Sequence, residues 1–254
     1  FSVNSTDKDA GSNYKNDGAT GSQAIAIGAK AKSGGNSSVA LGTKSEATYN
    51  GGVAVGWESK SEGRSSIAIG SESKSTSKDW GGVAIGASAE SNGSFSLALG
   101  GMSKAIGGWN IAIGTEASTK ADYFGTAIGY KASVTQKQAL AFGTMANAGG
   151  DSAISIGTVA KSFANNGLAI GTLSTVNATG GRGIAIGNAA YVGPAKPTDT
   201  TAMPKPSDEW KPGNPYVSQD DNTKPGANEG AQEKAMAVGF KASAFGYQTT
   251  ALGA

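Results

Sequence analysis

Catalysis on carboxylates remains open to this chain, but catalysis on histidine or cysteine does not. Its sequence holds no histidine and no cysteine, so the commonest general base, the commonest metal ligand and the thiol nucleophile are all missing. Apart from Asp208-Glu209 and Asp220-Asp221, the 19 Asp and Glu residues are scattered singly along the chain. That pattern predicts no enzyme, no metal site and no cofactor. The chemistry left is that of aromatic contact, because rings concentrate binding energy at interfaces. Trp57, Trp80, Trp109 and Tyr123, with Phe124 beside them, stand at the edges of short strands, and Trp210 and Tyr216 lie in a proline-rich stretch. These two Tyr and four Trp are the candidate ligand-binding residues; the same rings would also serve to cover a turn or seal a seam between subunits.

What must position them is not an ordinary core. Among 254 residues, 40 are glycine and only seven are phenylalanine, too few large side chains for a conventional globule. The net charge is +2, with acids and bases interspersed, so no basic stripe marks a nucleic-acid partner. No apolar run approaches the roughly 20 residues that cross a bilayer, which puts any membrane anchor outside these residues. The chain starts at Phe1 without the basic and apolar regions of a signal peptide, as expected of a mature or excised fragment.

Repetition supplies the architecture. A hydrophobic-Ala-hydrophobic-Gly motif closes at Gly28, Gly42, Gly56, Gly70, Gly86, Gly100, Gly114, Gly129, Gly143, Gly157, Gly171, Gly187, Gly239 and Gly253, and nine of the thirteen spacings are 14. After each glycine comes a second short strand, as in Thr43-Lys44-Ser45-Glu46-Ala47, whose third and fifth residues are small and whose second and fourth are often charged. That alternation predicts small residues inside and charges in water. Two strands and two Gly- or Asn-marked turns per 14 residues make one coil of an all-β parallel solenoid.

The motif strand has two faces. The large pair is expected to fill the coil. The central alanine, present in thirteen of fourteen copies with Ser155 the exception, is then expected to form a flat outer wall that other chains can approach. A thin roll of small residues buries little apolar area, so a partner surface is needed. The candidate subunit interface is therefore the column Ala26, Ala40, Ala54, Ala68, Ala84, Ala98, Ala112, Ala127, Ala141, Ala169 and Ala185, in a cyclic homo-oligomer.

The 52-residue step from Gly187 to Gly239 holds all seven prolines. Proline cannot donate to a ladder, so residues 193–233 are expected to leave the roll as an inserted arm. With four lysines against seven acids the segment carries a net charge of −3. It is read either as a ligand-binding loop or as a clasp on a neighbouring subunit.

The units Ser65-Ser66-Ile67-Ala68-Ile69-Gly70-Ser71-Glu72-Ser73 and Asn166-Gly167-Leu168-Ala169-Ile170-Gly171-Thr172-Leu173-Ser174 resemble the repeat of YadA-like head domains of trimeric autotransporter adhesins. The resemblance covers residues 22–192 and 234–254. It implies a left-handed parallel β-roll, a parallel homotrimer, and a β-barrel anchor in the outer membrane at the far end of the full protein. It also implies display on the bacterial surface and binding to host matrix of the collagen, fibronectin or laminin class, to host receptors or to neighbouring bacterial cells, with autoaggregation and biofilm formation. On this reading residues 1–21 are an N-terminal cap or tail, 22–192 the head repeats, 193–233 the arm, and 234–254 the resumed repeats, ending before a neck or stalk. A non-adhesive solenoid spacer or surface-layer protein is the alternative.

Overall fold

A computed structural model describes residues 17–77, 80–177, 181–193, 235–245 and 249–253. Every regular element among them is a short strand, and all strand pairing is parallel. The chain is an all-β parallel solenoid of about 13 coils divided between two compact units, residues 1–131 and 132–254.

In the first unit the motif strands Ile25–Ile27, Val39–Leu41, Val53–Val55, Ile67–Ile69, Val83–Ile85, Leu97–Leu99, Ile111–Ile113 and Thr126–Ile128 form one sheet. The strands from Lys32–Ser33 to Ser118–Thr119 form a second. Each residue pairs with its equivalent one coil away: Ala54 with Ala68, and Ser61 with Ser75. The register therefore stacks like on like. Ahead of the first coil, Ala19 already bridges to Ser33.

The second unit repeats the plan, with motif strands from Leu140–Phe142 to Thr250–Leu252 and second strands from Ser133–Val134 to Ser243–Phe245. Ile184 pairs with Met236 and Tyr191 with Ser243, so the strands flanking residues 194–234 meet in register. The arm itself, with Trp210 and Tyr216, lies outside the described residues.

Two glycine-dependent features make 14 residues close. Gly56, like every other motif-closing glycine from Gly28 to Gly239, has φ near +130°, a region L side chains rarely enter. A Cβ on Gly56 would also stand 2.4 Å from the carbonyl oxygen of Gly70 in the next coil. Two residues further on the chain turns again with a left-handed residue, Lys44 at φ 57° or Glu72 at φ 56°, and the turn closes by a hydrogen bond such as Ser45 N–H to the Gly42 carbonyl at 3.2 Å. The buried serine side chain adds a second bond to that carbonyl, at 2.9 Å for both Ser45 and Ser73.

The faces of the motif strand are the reverse of the expectation. Ala40, Ala54, Ala68, Ala84, Ala98, Ala112, Ala127, Ala141, Ala169 and Ala185 are 0% exposed within a single chain, and Ala26 is 2% exposed. They point into the roll against Ala47, Ser61, Ala105 and their equivalents on the second strand. The alanine column is thus the core and cannot touch another chain. The reason is distance: Cα atoms of the two strands of one coil come within 8 Å, against about 10 Å for ordinary packed sheets, so only Ala, Ser and an occasional Thr or Val fit between them. The branched pair points outward. Ser155 fits the same interior, its hydroxyl donating to the Asn147 carbonyl at 2.7 Å.

Candidate functional site

The outward positions of the motif strands form a ladder of branched side chains in each unit. Ile67 and Ile69 flank Ala68, Leu97 and Leu99 flank Ala98, and Leu168 and Ile170 flank Ala169. None of these flanking residues is buried; Ile69 is 37% and Leu99 39% exposed. Two aliphatic side chains in most coils, stacked in register by the ladder, make an apolar face far more continuous than the scattered exposed Leu or Ile normal on a soluble surface. Thr126, Phe142, Met236 and Thr250 are the variations on it.

The opposite sheet is its polar counterpart. Its outward residues carry the charges, and Lys104 pairs with Glu90 at 3.5 Å across one coil step. At the corner after the closing glycine, Lys44 meets Glu58 at 2.5 Å and Lys131 meets Glu116 at 3.4 Å. Trp57 sits at this corner with the Lys44 ammonium 5.8 Å from its ring centre. The hydrogen bond to Tyr130, followed by the Glu116 carboxylate, holds Lys131 above the ordinary lysine range. Such exposed pairs stabilise little individually.

The aromatic residues gather at the other corner, within the first unit. Trp80 stacks on Phe95 with ring centres 6.5 Å apart, Phe95 on Trp109 at 5.7 Å, and Trp109 on Phe124 at 5.6 Å. Tyr123 leans against Trp109 at 6.0 Å, tilted by 46°. All five rings are about half exposed. With roughly 150–250 Å² per ring, about 500 Å² of aromatic surface stays open, at the upper end of the largest patch on a typical monomer.

Repeat position explains the clustering. Phe95, Trp109 and Phe124 each fall five residues before a closing glycine, in a left-handed conformation (φ 57°, 54° and 60°). The same position is Gln23, Ser37 and Ser65 in earlier coils and Gln138, Ser152, Asn166 and Arg182 in later ones. A bulky ring at positive φ is strained, so the aromatic run is a local departure from the repeat. Of the candidates, Trp80, Trp109 and Tyr123 come together here, Trp57 stands at a different corner, and Trp210 and Tyr216 fall outside the described residues. Phe95 belongs to the cluster and was missed, although its five-residue offset from Gly100 marks it.

Comparison with known families follows this geometry. A family model described as the YadA head domain repeat matches residues 19–45, 50–73, 81–101, 124–146, 148–174 and 233–254, more than half of the chain. No curated protein matches it.

Proposed function

We propose, from the premise that this chain belongs to the family of YadA head domain repeats, that it is the head of a trimeric autotransporter adhesin that attaches bacteria to host extracellular matrix. Adhesins of this family are in general homotrimeric, non-enzymatic passengers exposed at the cell surface that bind host matrix. The ligand for this head is of the collagen, fibronectin or laminin class, and contact between heads on neighbouring cells gives autoaggregation and biofilm. The observation that carries the reading is the division of surfaces: an unpartnered aliphatic ladder on one sheet, a solvated charged sheet opposite, and an aromatic patch at a corner between them.

The aliphatic ladder is the subunit interface in this proposal. Covering a partly exposed Ile or Val gains about 0.5–1 kcal/mol, and such residues, two in most coils, add up along each unit. Three ladders meeting around one axis leave the charged sheets and the aromatic corners outside, available to ligand. Three copies of each contact site on one head then give avidity without a single strong pocket.

Beads coated with the full chain test the function, with collagen, fibronectin, laminin and cultured cells as targets. Attachment to at least one target, weakened by a Phe95→Ala, Trp109→Ala double variant, is expected. Attachment to none would contradict adhesion and favour a spacer.

A further inference from the structure

The coil from Gly114 to Gly129 contains one residue more than the 14-residue unit. Its extra length forms a braced loop beside the aromatic cluster. Asn110, completely buried, clamps it from inside: its amide donates to the carbonyls of Ala121 at 2.7 Å and Ile106 at 2.5 Å, and its oxygen accepts Gly125 N–H at 2.6 Å. From outside, Gly108 N–H donates to the Asp122 carbonyl at 3.1 Å, and Phe124 N–H to the Gly108 carbonyl at 3.3 Å. A Cβ on Gly108 would stand 3.2 Å from Cδ1 of Tyr123, so the Tyr123 ring lies against bare backbone. The ring is seated before any ligand arrives.

This loop bounds an open cavity of 460 Å³, lined among others by Lys120, Asp122 and Tyr123. Lys120 and Asp122 are both exposed, and among the described residues neither enters an ion pair, in contrast to the coil-to-coil pairs Lys44–Glu58, Glu90–Lys104, Glu116–Lys131 and Lys137–Asp151. Tyr123 is also the one ring of the cluster inclined steeply to its neighbours, by 46° to Trp109 and 45° to Phe124. The stacked rings cover one another's faces. Tyr123, about half exposed, is the ring of the cluster that lines the cavity.

We propose that this cavity binds a pyranose unit of a host glycan, a reading that deepens and rests on the adhesive function above. A pyranose presents a flat patch of C–H groups to an aromatic face and a rim of hydroxyls around it. Tyr123 takes the C–H face, the Asp122 carboxylate accepts from two adjacent hydroxyls, and the Lys120 ammonium donates to a hydroxyl or ring oxygen. An apolar peptide would leave both charges desolvated and unpaired, and a polyanion would meet Asp122. A site this open binds weakly, with Kd of about 1 mM for one sugar, and three copies on one head raise the effective affinity.

Ligand-observed NMR of the full chain with galactose, N-acetylglucosamine, lactose and sialyllactose tests the site, run beside the bead attachment assay. At least one sugar is expected to bind, with affinity lowered tenfold or more by Tyr123→Ala and several-fold by Asp122→Asn. Tyr123→Phe and Trp57→Ala should keep it within twofold, and unchanged melting temperatures would show that the fold is intact. Binding of no sugar in the set, or equal binding by wild type and Tyr123→Ala, overturns the site. Attachment that persists without sugar binding overturns the glycan site alone. Sugar binding without attachment overturns the adhesive reading and leaves the site standing.

Discussion

The hydroxyls of Ser61 and Ser66 lie 2.6 Å apart inside the roll, tying the end of one second strand to the start of the next motif strand. The same five-residue pair recurs as Ser33 with Ser38 and Ser91 with Ser96. At Ser162 the partner position is Gly167, and the buried Ser162 hydroxyl has no hydrogen-bond partner. Opposite effects of one substitution follow. Ser61→Ala should destabilise by about 1 kcal/mol, whereas Ser162→Ala should stabilise by a similar amount, because it removes an orphaned polar group. Thermal unfolding of the two variants measures both signs; a loss of stability in Ser162→Ala would contradict the orphan assignment.

The closing glycines give a second contrast. Gly56→Ala would force an L side chain to φ 131° and drive its Cβ to 2.4 Å from a carbonyl oxygen of the next coil. The nearest atom to a Cβ at Gly101 is 3.9 Å away. Gly56→Ala should cost more than about 3 kcal/mol and Gly101→Ala less than about 0.5 kcal/mol, read from denaturant midpoints.

Coil length, strand positions and parallel stacking were legible because Gly56 and its equivalents obey a steric rule that sequence spacing displays directly. The direction of each face was not. Strict alternation says that Ala68 lies opposite Ile67 and Ile69, but not which side is inside; that depends on how close the corners bring the two strands, a distance carried by turn geometry rather than by residue type. The small residues Ser59 and Ser61 pointing inward were the available clue, since a wall of serine and alanine on one strand fits alanine on the other. Among the aromatic residues, Trp109 and Tyr123 were found as rings near turns. Their convergence with Phe95 emerges only when offsets from the closing glycine are compared across coils.

Alkaline pH probes the second unit. Burial raises the Tyr191 hydroxyl above its ordinary value of 10.0, outweighing the hydrogen bond with Asn177, which lowers it. A raised acid favours the neutral form in the folded state, so its contribution is fully present below pH 10 and is lost as pH climbs through the folded value. Melting temperature should fall above about pH 10 in the wild type, and less steeply in Tyr191→Phe. Parallel curves for the two proteins would assign the alkaline loss to other groups.

The direction of the motif strand's faces bears most on assembly, and sedimentation equilibrium tests it most directly. The wild type should sediment as three 25.0 kDa chains. Ile67→Glu with Ile69→Glu, on the outer face, should sediment as one chain with its strand content retained by circular dichroism. Ala68→Glu, which forces a charge into the roll, should lose strand content instead. A wild type of single-chain mass, or a trimer that survives Ile67→Glu with Ile69→Glu, would contradict assembly through the aliphatic ladder.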